Sequence, residues 1–320
     1  MKKTLFAFAA IAAVMFSLSS CSNKGQEGDE NAQAGEATVA SVEAPEDVKP
    51  FDFTPAAPEN GKKKAVVELG ASGFNLFIIT MDENKNWKQE KAEFGQSNVA
   101  EGATGVDAVK GKLNDYIKTI LAEGVDGKDI HFVVSSGAAK EPIVATIESG
   151  LKALGYVVNK VTAEQEAEYA FQCVMPKEYE GSAFVVDLGS GNTKVSWKEG
   201  GQAKSVETFG AKYFQKGEDD TKVYNEVKSK LASIPATNAK TLFIIGGVPH
   251  KMAKKMKKGN ERYTVLTTDV TFFDDIAKDD DKNKAGLNIY KGIVDATNPG
   301  QVVFDWDANF TIGFLLNMPY

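Results

Sequence analysis

The chain is short of both cysteine and histidine, with two of each in 320 residues. So few thiols exclude a disulfide framework, and the scarcity of cysteine and histidine together excludes a zinc site built from those side chains. A basic tract is also lacking, and the net charge is −7, so nucleic acid is not expected as a partner. What is present is a hydrophobic content of 42%, which allows a sizeable core in one large or two medium domains.

A long apolar run occurs at the N-terminus, where Met1-Lys2-Lys3 leads into apolar and small residues from Leu5 to Leu18. A charged start followed by such a run is typical of a secretory signal, here residues 1–20. Leu18-Ser19-Ser20-Cys21 resembles a bacterial lipobox, which implies that Cys21 is lipidated and becomes the mature N-terminus. The alternative is an uncleaved membrane anchor, although the run is shorter than the ~20 residues that span a bilayer.

The lipobox resemblance also predicts a location. Ser22 follows the cysteine, and by that resemblance a residue other than aspartate favours the outer membrane over the inner one. We therefore expect a lipid-anchored protein of the cell envelope, on the periplasmic or the surface face of the outer membrane. The membrane would be a partner through the lipid on Cys21.

Residues 21–62 are predicted to be an acidic flexible tether. Residues 22–60 carry nine acidic side chains against Lys24 and Lys49, a local charge of −7, and they show no apolar period. A segment of this composition cannot bury enough apolar surface to fold, so it would space the domain from the membrane. Residues 61–320 carry a charge of only −2, so the acidity of the protein lies mostly in the tether.

Ala183 to Trp197 reads AFVVDLGSGNTKVSW and is the most informative stretch of the chain. An apolar strand ends at Asp187, Gly189-Ser190-Gly191 predicts a tight turn, and Val195 and Trp197 alternate with polar residues as in a returning strand. We name this arrangement a phosphate hairpin, because glycines let backbone N–H groups approach an oxyanion and a strand-end aspartate can hold hydrated Mg²⁺. The alternative is an ordinary Gly-Ser turn.

The same pattern occurs 119 residues earlier, from Ala65 to Thr80. An apolar strand leads to Glu68, Gly70-Ala71-Ser72-Gly73 forms the turn, and a second apolar strand follows. An internal repeat is far more specific than either copy, and it predicts two related α/β halves that face each other across a cleft. Helical spacing over residues 107–122, 141–154, 163–174 and 223–234, between apolar strands, agrees with an α/β fold.

On these motifs the chain resembles the exopolyphosphatase and guanosine pentaphosphate phosphohydrolase (Ppx/GppA) family, within the acetate and sugar kinase, Hsp70 and actin superfamily. The resemblance covers roughly residues 63–318. Asp187 to Lys194, DLGSGNTK, is similar to the family's DIGGGSTE, and Thr162 to Tyr169, TAEQEAEY, is similar to its SGxEEARL segment. Phe209 to Lys212 resembles its LGAxR stretch, and Gln301–Asp305 with Ile312-Gly313 resembles a strand followed by a turn.

The resemblance implies a fold, ligands and site residues. The fold would be α/β, with two ribonuclease H-like (actin-like ATPase) lobes at residues 63–172 and 173–320, each a mixed sheet with flanking helices, and a cleft between them. The ligands would be Mg²⁺ and a phosphate-containing small molecule or polyphosphate. Glu166 matches the family's catalytic glutamate, and Asp187 with Glu68 would hold the metal. The phosphate-binding residues would be Gly70, Ser72, Gly73, Lys140, Gly189, Ser190, Gly191, Asn192 and Thr193.

Several positions depart from the family's pattern, and the first loop, Glu68 to Gly73, also lacks two of the family's polar side chains. Glu68 stands where the first loop has aspartate, Lys194 replaces a glutamate beside the expected metal, and Lys140 replaces an arginine, which keeps the charge but loses the bidentate fork. Two hypotheses follow. The chain is a Mg²⁺-dependent phosphohydrolase of anhydrides or esters with Glu166 as base, or it is a catalytically degenerate ligand-binding or scaffold lipoprotein. The scarcity of nucleoside triphosphates beyond the inner membrane argues against a kinase or a chaperone ATPase.

Overall fold

The computed structural model describes residue 45 and residues 48–70, 73–95, 105–139 and 142–320. Cys21, the signal sequence and most of the predicted tether lie outside these residues, as do Ser72 and Lys140. Within the described ranges, no helix has the length and apolar character needed to cross a membrane.

The first part of the chain builds a five-stranded sheet with three helices. In chain order its elements are β1 (Lys62–Gly70), β2 (Gly73–Met81), β3 (Trp87–Glu93), α1 (Val106–Ala122), β4 (Ile130–Val134), α2 (Pro142–Ala153), β5 (Val158–Lys160) and α3 (Ala163–Val174). The strand order is β3-β2-β1-β4-β5, with β1 antiparallel to β2 and parallel to β4.

The second part builds a six-stranded sheet. Its elements are β6 (Ala183–Leu188), β7 (Asn192–Glu199), β8 (Gln202–Phe209), α4 (Asp220–Leu231), β9 (Thr241–Gly246), α5 (Gly247–Met256), β10 (Tyr263–Leu266), α6 (Asp274–Asp279), α7 (Asp281–Thr297), β11 (Gln301–Asp305) and α8 (Phe310–Asn317). The strand order is β10-β11-β9-β6-β7-β8, with β6 antiparallel to β7 and parallel to β9.

The two sheets share one plan, which confirms the predicted fold class of two mixed α/β lobes. In each sheet a central strand, β1 or β6, carries the carboxylate of a hairpin. That strand pairs antiparallel with the returning strand of the hairpin and parallel with a later strand on its other side. The repeat seen in the sequence is therefore a repeat of topology.

The strand β6 shows how the layers stack. Successive side chains of a strand point to opposite faces. Phe184 and Val186 enter a core with α4, α5 and α7, whereas Ala183 and Val185 enter another core with α3 and α8. This second core also takes Val66 from β1, so α3 and α8 form a layer that both sheets share. The helices α1 and α2 pack in a third core with the other face of the first sheet.

Residues 48–60, which the sequence assigns to the tether, lie against the folded part of the chain. The ring of Phe51 makes edge contacts with Phe243 and Tyr263, with centroids 5.6 and 5.2 Å apart. Further along, the N–H of Glu59 donates to Asp82 at 3.0 Å, directly after β2. A few aromatic side chains are enough to hold this segment, and they leave no apolar period for sequence reasoning to detect.

The helix α8 differs from the sequence expectation, which placed a turn at Ile312-Gly313. Gly313 lies inside the helix, and a Cβ built on it would be 1.9 Å from the carbonyl oxygen of Tyr169 in α3. The two helices therefore meet at backbone contact, which requires a residue without a side chain. Residues 310–315 of α8 are all buried. A helix that is buried on all sides shows no amphipathic period, so the sequence pattern does not reveal it.

Gly313→Ala should lower the free energy of unfolding by about 1–3 kcal/mol, because the added methyl group overlaps the Tyr169 carbonyl and must push the helices apart. Gly111→Ala is the matched control, since Gly111 also lies inside a helix, α1, but is exposed with no atom within 4 Å of an added Cβ. There alanine should raise the free energy of unfolding by about 0.5–1 kcal/mol. Urea unfolding followed by circular dichroism measures both, and equal effects would contradict the close helix contact.

Candidate functional site

The second hairpin places a carboxylate and an ammonium side by side. Asp187 in β6 and Lys194 in β7 are direct cross-strand partners, so their side chains emerge on the same face of the sheet. Lys194 Nζ lies 3.7 Å from Asp187 Oδ2. Lys194 is also paired with Glu207 of β8, so a row of charged residues crosses three strands near the glycine turn.

The first hairpin repeats this arrangement with an uncharged partner. Glu68 in β1 faces Asn75 in β2, and Asn75 Nδ2 donates to Glu68 Oε2 at 3.0 Å. In both hairpins the partner follows the carboxylate by seven residues. Asn309, the N-cap of α8, reaches the same oxygen at 3.5 Å. Glu68 is thereby linked to the helical layer that both sheets share.

The start of α3 determines where Glu166 points. Thr162 Oγ1 accepts from the Gln165 N–H at 3.3 Å, and Gln165 Oε1 accepts from the Thr162 N–H at 2.9 Å, which is a capping box. The box fixes the first turn of the helix. Glu166 then points inward with 1% of its surface exposed, whereas its neighbours Glu164 and Glu168 are exposed. A carboxylate in the first turn also lies at the positive end of the helix dipole.

Glu166 is engaged at both of its carboxylate oxygens. The N–H of Ser136, in the turn after β4, donates to Oε1 at 2.5 Å. Lys194 Nζ lies 2.5 Å from Oε2, with 9% of the lysine side chain exposed. Hydrogen bonds between charged groups at such distances are strong. The ion pair therefore joins the second sheet to the shared helical layer.

Burial and neighbouring charges shift the pKa of three groups at the site: Glu68, Asp187 and Lys194. Burial raises the pKa of Glu68, the hydrogen bond from Asn75 opposes this, and the charges of Asp187 and Glu166 raise the pKa further. Burial also raises the pKa of Asp187 in spite of the nearby Lys194. Burial alone would lower the pKa of Lys194, but the Asp187 and Glu166 carboxylates outweigh it and raise that pKa. The surroundings thus favour the cationic form of Lys194 and disfavour the ionised forms of Glu68 and Asp187.

Three of the groups predicted to bind phosphate in the second hairpin already have partners. The N–H of Gly189 donates to the carbonyl oxygen of Asn192 at 3.1 Å, within the turn. The side-chain amide of Asn192 donates to Glu207 at 2.8 Å. Thr193 is fully buried, and its hydroxyl donates to the carbonyl oxygen of Phe209 at 2.7 Å. These groups shape the hairpin, and their hydrogen-bonding capacity is largely used within it.

The N–H groups of Ser190 and Gly191 have no hydrogen-bond partner in the described part of the chain. The turn that presents them is held from behind, where the N–H of Lys212 donates to the carbonyl oxygen of Ser190 at 2.9 Å. A Cβ on Gly210 would lie 2.3 Å from the backbone nitrogen of Asn192, so the two backbones are in direct contact. Two neighbouring N–H groups on a braced turn are suited to an oxyanion.

The turn of the first hairpin is only partly described. Gly70 and Gly73 pair across it, and Gly73 has a φ of +124°, a conformation that favours glycine. The loop that carries Ser136 lies beside this hairpin, because the N–H of Ser135 donates to the carbonyl oxygen of Leu69 at 3.3 Å. The structure therefore brings the loop, the hairpin and Glu166 together.

The distribution of charge does not fit a resident divalent cation. Asp187 and Glu68, the predicted ligands, lie near Glu166, but the Lys194 ammonium already neutralises oxygens of Glu166 and Asp187. In the described ranges no three His, Cys, Asp or Glu side chains are grouped so that they could hold a metal ion. Mg²⁺ at this place stays a prediction that the geometry does not favour.

Solved structures that superpose on most of the chain identify the fold. A Ppx/GppA family member from Aquifex aeolicus matches with a TM-score of 0.58 and 17% identity, over 80% of this chain and 96% of that one. An exopolyphosphatase from Cytophaga hutchinsonii matches with a TM-score of 0.58 and 14% identity, over 79% and 96%. This chain has the Ppx/GppA fold. Identities this low show the fold alone, and no protein-family model or curated protein matches the chain.

Within the Ppx/GppA fold, the site combines predicted residues with others that sequence reasoning missed. Glu68, Glu166 and Asp187 are brought close enough for their charges to interact. Ser136 and Asn309 were missed, because each acts through a contact with a distant element. Asn309 has a local signal, since its side chain caps α8 by accepting from the N–H of Thr311 at 2.8 Å.

The raised pKa of Glu68 predicts a pH-dependent cost in stability. The folded state holds the proton more tightly than the unfolded chain, so stability falls as pH rises from the usual glutamate pKa through the raised one. Glu68→Gln should therefore raise the free energy of unfolding at pH 7 relative to the wild type. The difference should vanish below about pH 4, where both states are protonated.

Denaturant unfolding between about pH 3 and pH 8 measures this difference. Glu199→Gln, at the exposed end of β7, is the control and should stay within about 0.5 kcal/mol of the wild type throughout. A Glu68→Gln variant that loses stability relative to the wild type as pH rises would show that Glu68 is stabilised, rather than strained, by its surroundings.

Proposed function

We propose that this chain binds the phosphate group of an ester or anhydride, such as the end of a polyphosphate, at the second hairpin between the two lobes, with little or no hydrolysis. The observation that carries the proposal is the environment of Glu166. Both of its oxygens are engaged, by Lys194 and by Ser136, and 1% of its surface is exposed. A general base must reach the proton that it removes, and this carboxylate has no oxygen available to an attacking water.

Binding is supported by the glycine turn. The N–H groups of Ser190 and Gly191 are unused and adjacent, and consecutive N–H groups form concave sites for oxyanions. The backbone of residues 210–212 braces the turn. A site that is already ordered loses little conformational entropy when a ligand binds, so a small number of hydrogen bonds can give useful affinity.

The chain should bind pyrophosphate or a short polyphosphate in isothermal titration calorimetry. Gly191→Val should weaken binding about tenfold or more, or by ~1.4 kcal/mol, because a side chain there has open space around it but stands beside the N–H groups. Gly181→Val is the matched control, equally exposed and free of contacts, and should bind like the wild type. Equal binding by the two variants would place the ligand elsewhere.

Phosphohydrolysis is the second candidate, and the grouping of Glu68 and Asp187 around Glu166 favours it. The same ligands, assayed for released phosphate, separate the two functions. Binding without release is the result expected here. Release that is lost in Glu166→Gln would instead establish a hydrolase in which the ion pair with Lys194 opens during turnover.

We also propose that the chain is a lipoprotein, anchored in the cell envelope through Cys21. The charged start, the apolar run and the position of the cysteine support this. Because residues 48–60 pack on the fold, the spacer between the lipid and the folded part would be roughly residues 21–47. Labelling of cells with a fatty acid should mark the protein, and Cys21→Ser should abolish the label. An unlabelled wild-type protein would contradict the anchor.

A further inference from the structure

The side chain of Lys194 lies where the carboxylates of the site converge. Its Nζ is 2.5 Å from Glu166 Oε2 and 3.7 Å from Asp187 Oδ2. One or two carboxylates beside a cation are what proteins commonly supply to Mg²⁺, which keeps part of its water shell. Here the cation is a covalent part of the chain.

The fold keeps the ammonium in this place. Lys194 lies in β7 between Thr193 and Val195, both fully buried, and it pairs across the ladder with Asp187. If the side chain swung away, Glu166 would remain as a buried charge without its partner, which is strongly unfavourable. The positive charge is therefore a fixed feature of the site.

A divalent cation would compete with this ammonium. Both would need the oxygens of Glu166 and Asp187, and two positive charges a few ångströms apart repel each other strongly in a partly buried site. The equivalent position in the first hairpin is Asn75, an amide that donates to Glu68 and carries no charge. At these equivalent positions the two hairpins thus differ by a full positive charge.

We propose that Lys194 is a built-in substitute for a divalent cation: it neutralises Glu166 and Asp187, it makes phosphate binding independent of metal, and its replacement by a neutral side chain turns the carboxylates into a divalent-cation site. The claim that phosphate binding is independent of metal rests on the proposed function. The claims that Lys194 neutralises the two carboxylates, and that its replacement creates a cation site, concern the carboxylates alone and stand without that function.

Thermal unfolding of the purified full chain in Mg²⁺, in Mn²⁺ and in EDTA tests the proposal. The wild type should show the same Tm in all three. Lys194→Gln should melt at a lower temperature in EDTA and gain roughly 5 °C or more in Mn²⁺ at ~100 times its Kd, by mass action. Lys194→Arg keeps the charge and should show no gain. Lys194→Gln combined with Asp187→Asn removes a ligand and should lose the gain.

Two results would overturn the proposal. One is a metal-dependent rise in the Tm of the wild type that Asp187→Asn abolishes, because the wild type would then bind metal at these carboxylates with Lys194 in place. The other is a Lys194→Gln chain that gains nothing from metal. If Lys194→Gln is unfolded in EDTA, folding on addition of Mn²⁺ supports the proposal and failure to fold with metal counts against it.

Titration of the wild type with pyrophosphate in EDTA separates this inference from the proposed function. Binding without metal supports both. Binding that appears only with Mg²⁺ or Mn²⁺ overturns the inference and leaves phosphate binding intact. No binding under either condition overturns the proposed function, and the thermal results then decide the role of Lys194 by themselves.

Discussion

The ion pair between Lys194 and Glu166 is the interaction on which the rest of the site depends. It joins a strand of the second sheet to the first turn of α3, a helix that packs against both sheets. A buried ion pair adds little net stability, because desolvation offsets the attraction, but the loss of one partner is costly. The pair therefore acts mainly as a constraint. It withholds Glu166 from water and occupies the oxygens that a metal would need.

The parts of this structure that could be predicted are those specified by local sequence. Each hairpin is a strand, a turn and a return strand that are contiguous in the chain, Lys62–Met81 and Ala183–Glu199, and the internal repeat makes both assignments more specific. The contact between Lys194 and Glu166 could not be predicted. The partner of Lys194 within its own hairpin, Asp187, follows from the register, but Glu166 comes from a different element. Comparison of Lys194 with the glutamate of the family's motif does not reveal which carboxylate the lysine side chain will contact.

Two segments that sequence reasoning did not assign to the folded core share a physical cause. The helix α8 shows no amphipathic period because it is buried on every side, and the segment at residues 48–60 shows none because it is held by a few rings. The two segments meet beside the first sheet, where the Tyr320 hydroxyl donates to the carbonyl oxygen of Asn60 at 3.1 Å. Lys85 Nζ also donates to the carbonyl oxygen of Met318 at 2.5 Å. These contacts hold the C-terminal end of α8, and Asn309 caps its N-terminal end.

A shared fold does not decide between hydrolysis and binding, because function depends on the groups placed in the site. In this chain the turn of the second hairpin leaves the N–H groups of Ser190 and Gly191 without a partner among the described residues, and a positive charge, Lys194, lies beside the carboxylates of the site. A base for phosphate hydrolysis must be reachable by water, yet Glu166 is closed by a lysine from the hairpin itself. The same ammonium lowers the repulsion that the neighbouring carboxylates would exert on a phosphate. Under the function proposed above, one side chain in β7 would favour retention of a phosphate over its cleavage.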